Sequence, residues 1–355
     1  MEFSTDMSDR KAASRLNRIR HESVGIKSTT YRNTIEREGK SIQECIEGKS
    51  EEALLANGFT QEGELIEKVD FKPEESRHIE IETIVTAMSE LNVKRCNPSD
   101  YESPEACIYI SADEVFVKRQ TEMRPRKEDD EQPKRISNTV IHVENSIGKY
   151  HLNASSLYAA LKILLGFLLC NDNLKKQLVF FTDGAREIHK EISRMFAFAN
   201  YKIILDWYHL EKKCKELLSM ALKGREIRNG FLKELLPCLW FGNMDGSIRL
   251  LQNISPEKVK NYDKITELIG YFERVREYVP VYALRAELGL RNSSNQGEKA
   301  NDLIVSQRQK HNGMSWSDDG SLAFASVSSV IKNNELLNWI HSHDIRFTFV
   351  NHDAA

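Results

Sequence analysis

The sequence predicts an α/β fold, a mixed sheet flanked by helices, on three observations. "ACIYISADEVFVKRQ" from Ala106 and "RISNTVIHVENSIGKYHLN" around the turn at Gly148 read as three short strands rich in β-branched and aromatic residues. An apolar helix over 155–170 is then followed by the strand "LVFFT", a helix over about 184–199 and the strand "KIIL". Ahead of them, residues 8–95 carry little β-branched clustering, and "SIQECIEGKSEEALLANGF" spaces its apolar residues three to four apart, as amphipathic helices do. An antiparallel meander that continues into βαβ units places its functional loops at the carboxyl ends of the parallel strands.

Each element has its own justification. The helical front, 1–100, begins basic: "DRKAASRLNRIRHESVGIKSTTYR" carries Arg10, Lys11, Arg15, Arg18, Arg20, Lys27 and Arg32 among few acids. A solvated helix face is the plainer reading of that run, and a nucleic-acid contact the sharper one. Between the first two strands, "TEMRPRKEDDEQPKR" has Met123 as its only apolar side chain and reads as a long solvated hairpin tip. Beyond the strands, the polar stretch "RNSSNQG" leads into a helix from about Gly297 to Lys310, and a second helix starts near Asp318. The closing "IHSHDIRFTFVNHDAA", within 334–355, reads as a tail.

Bulk properties exclude several classes. The 355 residues carry a formal charge of -3, from 50 Lys+Arg against 53 Asp+Glu, so any nucleic-acid surface must be a local patch. Six cysteines lie scattered without a CxxC pair, which argues against a zinc ribbon or a disulfide framework and for reduced thiols in the cytoplasm. The first residues lack an apolar signal core, and "LYAALKILLGFLLC" is too short to cross a bilayer.

Chemistry is suggested by acids at strand ends. Asp183 ends "LVFFT", Asp206 ends "KIIL", and Asp113 interrupts the apolar pattern of the first strand. A carboxylate among apolar neighbours costs several kcal/mol unless it is paired or metal-bound. Clustered carboxylates repel, and a divalent cation with a taste for oxygen, Mg²⁺ or Mn²⁺, is the simplest partner. Helix capping is the plainer alternative for Asp183, before "GAREIHKEI", and for Asp206, before a helix near Tyr208. Glu298, in the first turn of its helix, is the next acid downstream, with service to the helix macrodipole as its plainer role.

In this order, "YISADEVFV", "VFFTDGAREI", "IILDWYHLEKK" and "SSNQGEKANDLIVSQRQKHNGMSWSDDG" resemble the catalytic blocks of bacterial insertion-sequence DDE transposases of the Mutator-like superfamily, most of all the ISLre and ISKra types. The resemblance covers roughly residues 100–330. It implies an RNase H-like core formed by 101–213 and 291–333, with 214–290 as a helical insertion before the last acid. It makes Asp113, Asp183 and Glu298 the catalytic triad holding two Mg²⁺ or Mn²⁺ ions, and Asp206 and His209 accessory residues. The implied activity is metal-dependent cleavage and strand transfer on double-stranded DNA by a homo-oligomer in the bacterial cytoplasm, nucleoid-associated when bound, with no membrane involved. The alternative is a truncated or inactive remnant that only binds DNA. Phosphate contacts are expected from Lys118, Arg119, Lys299, Arg308 and Lys310, and from the hairpin cations Arg124, Arg126 and Lys127. Trp316 and His311 are ambiguous between core and base contact, the core being favoured for Trp316.

Overall fold

A computed structural model describes residues 1, 7–20, 25–66, 79–93, 97, 101–120, 133–294, 299–310 and 314–352. The N-terminal region is helical, with α1 (Asp9–Arg20), α2 (Ser28–Ala56) and α3 (Ile81–Glu90). Then come β1 (Cys107–Lys118), β2 (Arg135–Glu144) and β3 (Gly148–Ala154), followed by α4 (Leu157–Cys170), β4 (Gln177–Thr182), α5 (Arg186–Met195) and β5 (Tyr201–Leu205). Helices α6 (Trp207–Ala221), α7 (Arg225–Trp240), α8 (Met244–Gln252), α9 (Tyr262–Val275) and α10 (Tyr282–Glu287) make up the insertion. The chain closes with α11 (299–309), α12 (Asp318–Lys332), α13 (Leu336–Ser342) and the short β6 (Val350–Asn351).

The six strands form one mixed sheet in the order β5-β4-β1-β2-β3-β6. β1, β2, β3 and β6 pair antiparallel, whereas β4 joins β1, and β5 joins β4, in parallel. This is the meander followed by two parallel strands that the sequence predicts, and it is the RNase H-like arrangement. Side chains alternate across β1. Ile108, Ile110 and Ala112 enter a core shared with α2, α4 and α5, while Cys107 and Tyr109 enter a second core with the insertion.

Two boundaries differ from expectation. The insertion was expected to start at 214, but Cys214 lies in the middle of α6, whose amphipathic face already packs in the insertion's core at Leu210. Residues 334–355 were expected to be a tail. Instead Phe347 is fully buried against Tyr150 and Phe167, and β6 completes the sheet at β3. The aromatic pair in "IRFTFV" was the overlooked signal. The hairpin tip 121–132, with Arg124, Arg126 and Lys127, lies outside the described residues, as does His311.

Helix α2, about 43 Å long at 1.5 Å per residue, is part of the main core. It buries Tyr31, Ile35, Ile42, Ile46 and Leu54, and Gly39 lets it touch α12 so closely that a Cβ there would meet the Ala323 carbonyl oxygen at 2.2 Å. Helix α12 is seated on β2 and β3 by a polar seam: the Asn138 amide donates to Ser321 at 2.8 Å, the Asn153 amide to Ser326 at 3.1 Å, and the Ser329 hydroxyl to Asn153 at 2.7 Å. These hydrogen bonds fix the register of α12 on the sheet, while the buried Asn138 Oδ1 has no partner among the described residues.

Candidate functional site

The sheet brings three aspartates to one level. Ser111 is the last β1 residue paired with β4, opposite Phe181, and two more residues put Asp113 level with Asp183. Likewise Thr182 is opposite Leu205 on β5, so the next residue pair is Asp183 and Asp206. Asp183 and Asp206 therefore stand just past the carboxyl ends of the parallel strands β4 and β5, where this fold class gathers its functional groups, and Asp113 stands level with them inside β1, two residues beyond its last pair with β4.

They do not share one role. Asp113 and Asp183 line a small crevice together with Ser111, His209, Ser294 and Asn301. Asp113 is half-buried; its Oδ2 accepts the Asn301 amide at 2.7 Å and its Oδ1 accepts the Glu114 amide at 2.8 Å. Asp183 is exposed and accepts the Ala185 N–H at 2.9 Å. That contact is a local turn, because α5 starts one residue later with no side-chain cap.

Asp206 is buried, with both oxygens committed. Oδ1 accepts from the Tyr208 and His209 amides and from the Ser293 hydroxyl; Oδ2 accepts from the amide and the hydroxyl of Ser294. It caps α6 and at the same time ties down the segment that returns from the insertion to the core. His209 is carried on the first turn of α6 and lines the crevice.

The returning segment is stitched along its length. The Arg291 guanidinium forms a two-pronged ion pair with Glu144 of β2 and lies over the Tyr109 ring at 5.1 Å. Asn292 accepts the Trp207 N–H at 3.0 Å. Ser293 and Ser294 hold Asp206, and Asn301 holds Asp113. Immediately after Asn301 the helix α11 winds as a π-helix over Asp302–Ser306, a distortion that frequently accompanies functional sites. Glu298, expected as the third acid, lies outside the described residues, between Ser294 and Asn301.

A second polar cluster lies further along β2 and β3. Burial alone would raise the Glu144 carboxyl, but hydrogen bonds from Arg291 and His142 outweigh it and hold its pKa at about 2. The pKa of the His151 imidazole is pushed down to about 3, through burial and the proximity of His142 and Lys149. The His142 and His151 Nδ1 atoms approach to 3.3 Å, and His142 Nε2 meets Glu144 at 3.1 Å.

The expected phosphate contacts separate into two groups. Lys118, Lys299 and Lys310 are exposed, and Arg119 is ion-paired with Asp318. Arg308 is a correction: it is 1% exposed, pairs with Asp9 of α1 at 2.8 Å and lies over Trp316 and Phe324. A guanidinium buried between two rings and a carboxylate is not presented to a phosphate. Trp316 is core, 4% exposed.

Sequence reasoning missed Ser111, Ser294 and Asn301. Asn301 had a signal, since it lies three residues after Glu298 in "EKAN" and so on the same helix face. Ser111 had the equivalent strand signal, two residues before Asp113 and hence on the same face.

The donor set in the crevice is oxygen-rich, and it fits a hard divalent cation rather than zinc. The buried Ser111 hydroxyl in its wall has no hydrogen-bond partner among the described residues. Among those residues two acids converge, and no group of three or more His, Cys, Asp or Glu side chains suited to a metal is assembled. No curated protein matches the chain. A family model does match, over residues 33–341, and the chain belongs to the uncharacterised protein family UPF0236.

Proposed function

We propose that this protein is a DDE-type DNA transposase, performing metal-dependent DNA end cleavage and strand transfer for an insertion sequence of the Mutator-like kind. The observation that carries the reading is the level placement of Asp113 and Asp183 on adjacent parallel strands, facing one crevice. Ser294 and Asn301, which flank Glu298 in sequence, line the same crevice. The ordered sequence blocks around these residues support the same conclusion.

Asp113, Asp183 and Glu298 would hold two Mg²⁺ or Mn²⁺ ions. Bound there, such ions activate water or a DNA 3′-hydroxyl and neutralise charge on the phosphoryl group being transferred. The chain's own residues do the positioning. The Asn301 amide fixes the Asp113 carboxylate, and Asp206 fixes the strand of chain leading to Glu298. His209 offers an imidazole in the crevice wall for a phosphate oxygen. The substrate is double-stranded DNA, ends and target in turn, taken by a homo-oligomer.

The test is Mn²⁺-dependent cleavage of DNA carrying the ends of the encoding element, with Asp113→Asn, Asp183→Asn and Glu298→Gln as comparisons. Loss of cleavage in all three with DNA binding retained is the expected result. A parent protein that binds these ends but never cuts them would make the chain a DNA-binding remnant. Cleavage that survives Glu298→Gln alone would reassign the third acid.

A further inference from the structure

We propose that the groove beside Asp183, between α5 and the end of α9, seats backbone phosphates of the DNA strand that passes through the acid crevice. This inference rests on the transposase reading and adds to it a binding surface. The groove is a cavity of about 350 Å³ that begins at Gly184, the residue next to Asp183. One wall is the core helix α5 with Arg186, His189 and Lys190; the other comes from the insertion, with Arg274, Glu277 and Tyr278.

Its charge is the first argument. Three cations face one carboxylate, on a chain whose overall charge is -3. Arg186 and Lys190 are exposed and four residues apart, hence neighbours on one helix face, where like charges repel. Neither is ion-paired among the described residues. A phosphodiester is the ligand that turns such a pair into a favourable contact, and Arg supplies the fork geometry that phosphate oxygens match.

Construction is the second argument. The floor is rigid: the His189 Nε2 and the Thr182 hydroxyl are hydrogen-bonded at 2.7 Å, and the His189 ring meets Tyr278 edge-on at 4.1 Å. Arg274 lies over the Tyr271 ring at 5.2 Å, and the Tyr271 hydroxyl donates to the Asp183 carbonyl at 3.3 Å. The insertion cation therefore lies on the same residue, Tyr271, that ties the insertion to the acid crevice. Gly184 has φ +87, and a Cβ there would stand 2.9 Å from Val275, so the passage between crevice and groove depends on glycine.

The experiment compares the full-length parent, Arg186→Gln/Lys190→Gln, Arg274→Gln, and Arg37→Gln/Lys40→Gln as a control on exposed α2 cations. Binding to duplex DNA carrying the element's ends is measured in Ca²⁺ over a potassium chloride series, and cleavage is measured in Mn²⁺. Each lost phosphate contact lowers the slope of log affinity against log salt by about 0.9. The Arg186/Lys190 variant is expected to lose about two units of slope and Arg274→Gln about one, with the control at the parent's slope. A parent that binds and cuts, beside groove variants with its affinity and slope, would overturn the groove while leaving the transposase reading intact. A parent that neither binds nor cuts would overturn both.

Discussion

Asp206 Oδ2 accepts both the amide and the hydroxyl of Ser294 at 2.6 Å, which makes this strand-end acid an anchor rather than a free ligand. Asp183, level with it on the next strand, is exposed, and among the described residues its carboxylate makes one local hydrogen bond. The two acids should therefore separate cleanly by mutation. Asp206→Ala removes a helix cap and leaves buried donors unpaired, a loss of about 3 kcal/mol. Asp183→Asn should stay within about 0.5 kcal/mol of the parent, as exposed substitutions do, yet abolish cleavage. Urea unfolding of both variants measures this; equal stabilities would refute the anchor role.

Asn301 holds one oxygen of Asp113 and leaves the crevice side of the carboxylate oriented. Groups that orient a metal ligand typically contribute ten- to a hundredfold in affinity or activity when removed. Asn301→Ala should therefore raise the Mn²⁺ concentration needed for half-maximal cleavage by roughly that factor, with little change in DNA affinity. Metal titration of cleavage and of DNA binding, run side by side, distinguishes this from a loss of DNA contact, which would weaken binding and leave the metal requirement where it was.

Much of this arrangement was legible in the sequence because strands and acids are local signals. Asp183 and Asp206 could each be placed at a strand end from the apolar runs before them, and Asp113 inside the first strand from its break in the apolar pattern. Their different roles could not, because the hydrogen bonds that distinguish them come from Ser293, Ser294 and Asn301, far along the chain and across the insertion. Arg308 was misread for the same reason. Beside the expected acid in sequence it looks like a phosphate contact, and only the packing of α1 against α11 brings Asp9 to it. The role of α2 was hidden as well, since a basic, polar-rich front gives little hint that Gly39 lies against α12.

That close approach carries its own prediction. Gly39 is a mid-helix glycine, where alanine would ordinarily stabilise by up to about 1 kcal/mol. Here the added Cβ would collide with the Ala323 backbone. Gly39→Ala should therefore destabilise the protein, by about 1–3 kcal/mol as overpacking does. At Gly48, on the same helix, a Cβ would meet nothing within 4 Å, and the same change should be stabilising. Opposite signs for the two variants in thermal unfolding are the expected outcome; like signs would mean that α2 does not press on α12.

The cluster of His151, His142, Glu144 and Arg291 predicts how stability responds to acid. His151 in the folded protein has its pKa at about 3, below the ordinary 6.5, so between these values the unfolded chain binds the extra proton and stability falls as pH falls. Glu144, held at about 2, adds a loss of the same sign that begins only below about 4.5. The interval from pH 7 to 5 therefore isolates imidazoles. His151 alone should contribute a loss of about 2 kcal/mol there. His142, Lys149 and Lys332 add to the downward push of burial on His151, and Glu144 opposes it. In His151→Gln, whose side chain is neutral at every pH, the decline between pH 7 and 5 should shrink by that amount, the remainder coming from groups such as His189, which burial also pushes down. Urea unfolding at pH 7, 6 and 5 measures both proteins. Parallel pH profiles would show that His151 is protonated alike in the folded and unfolded chains, against the burial that sets its pKa.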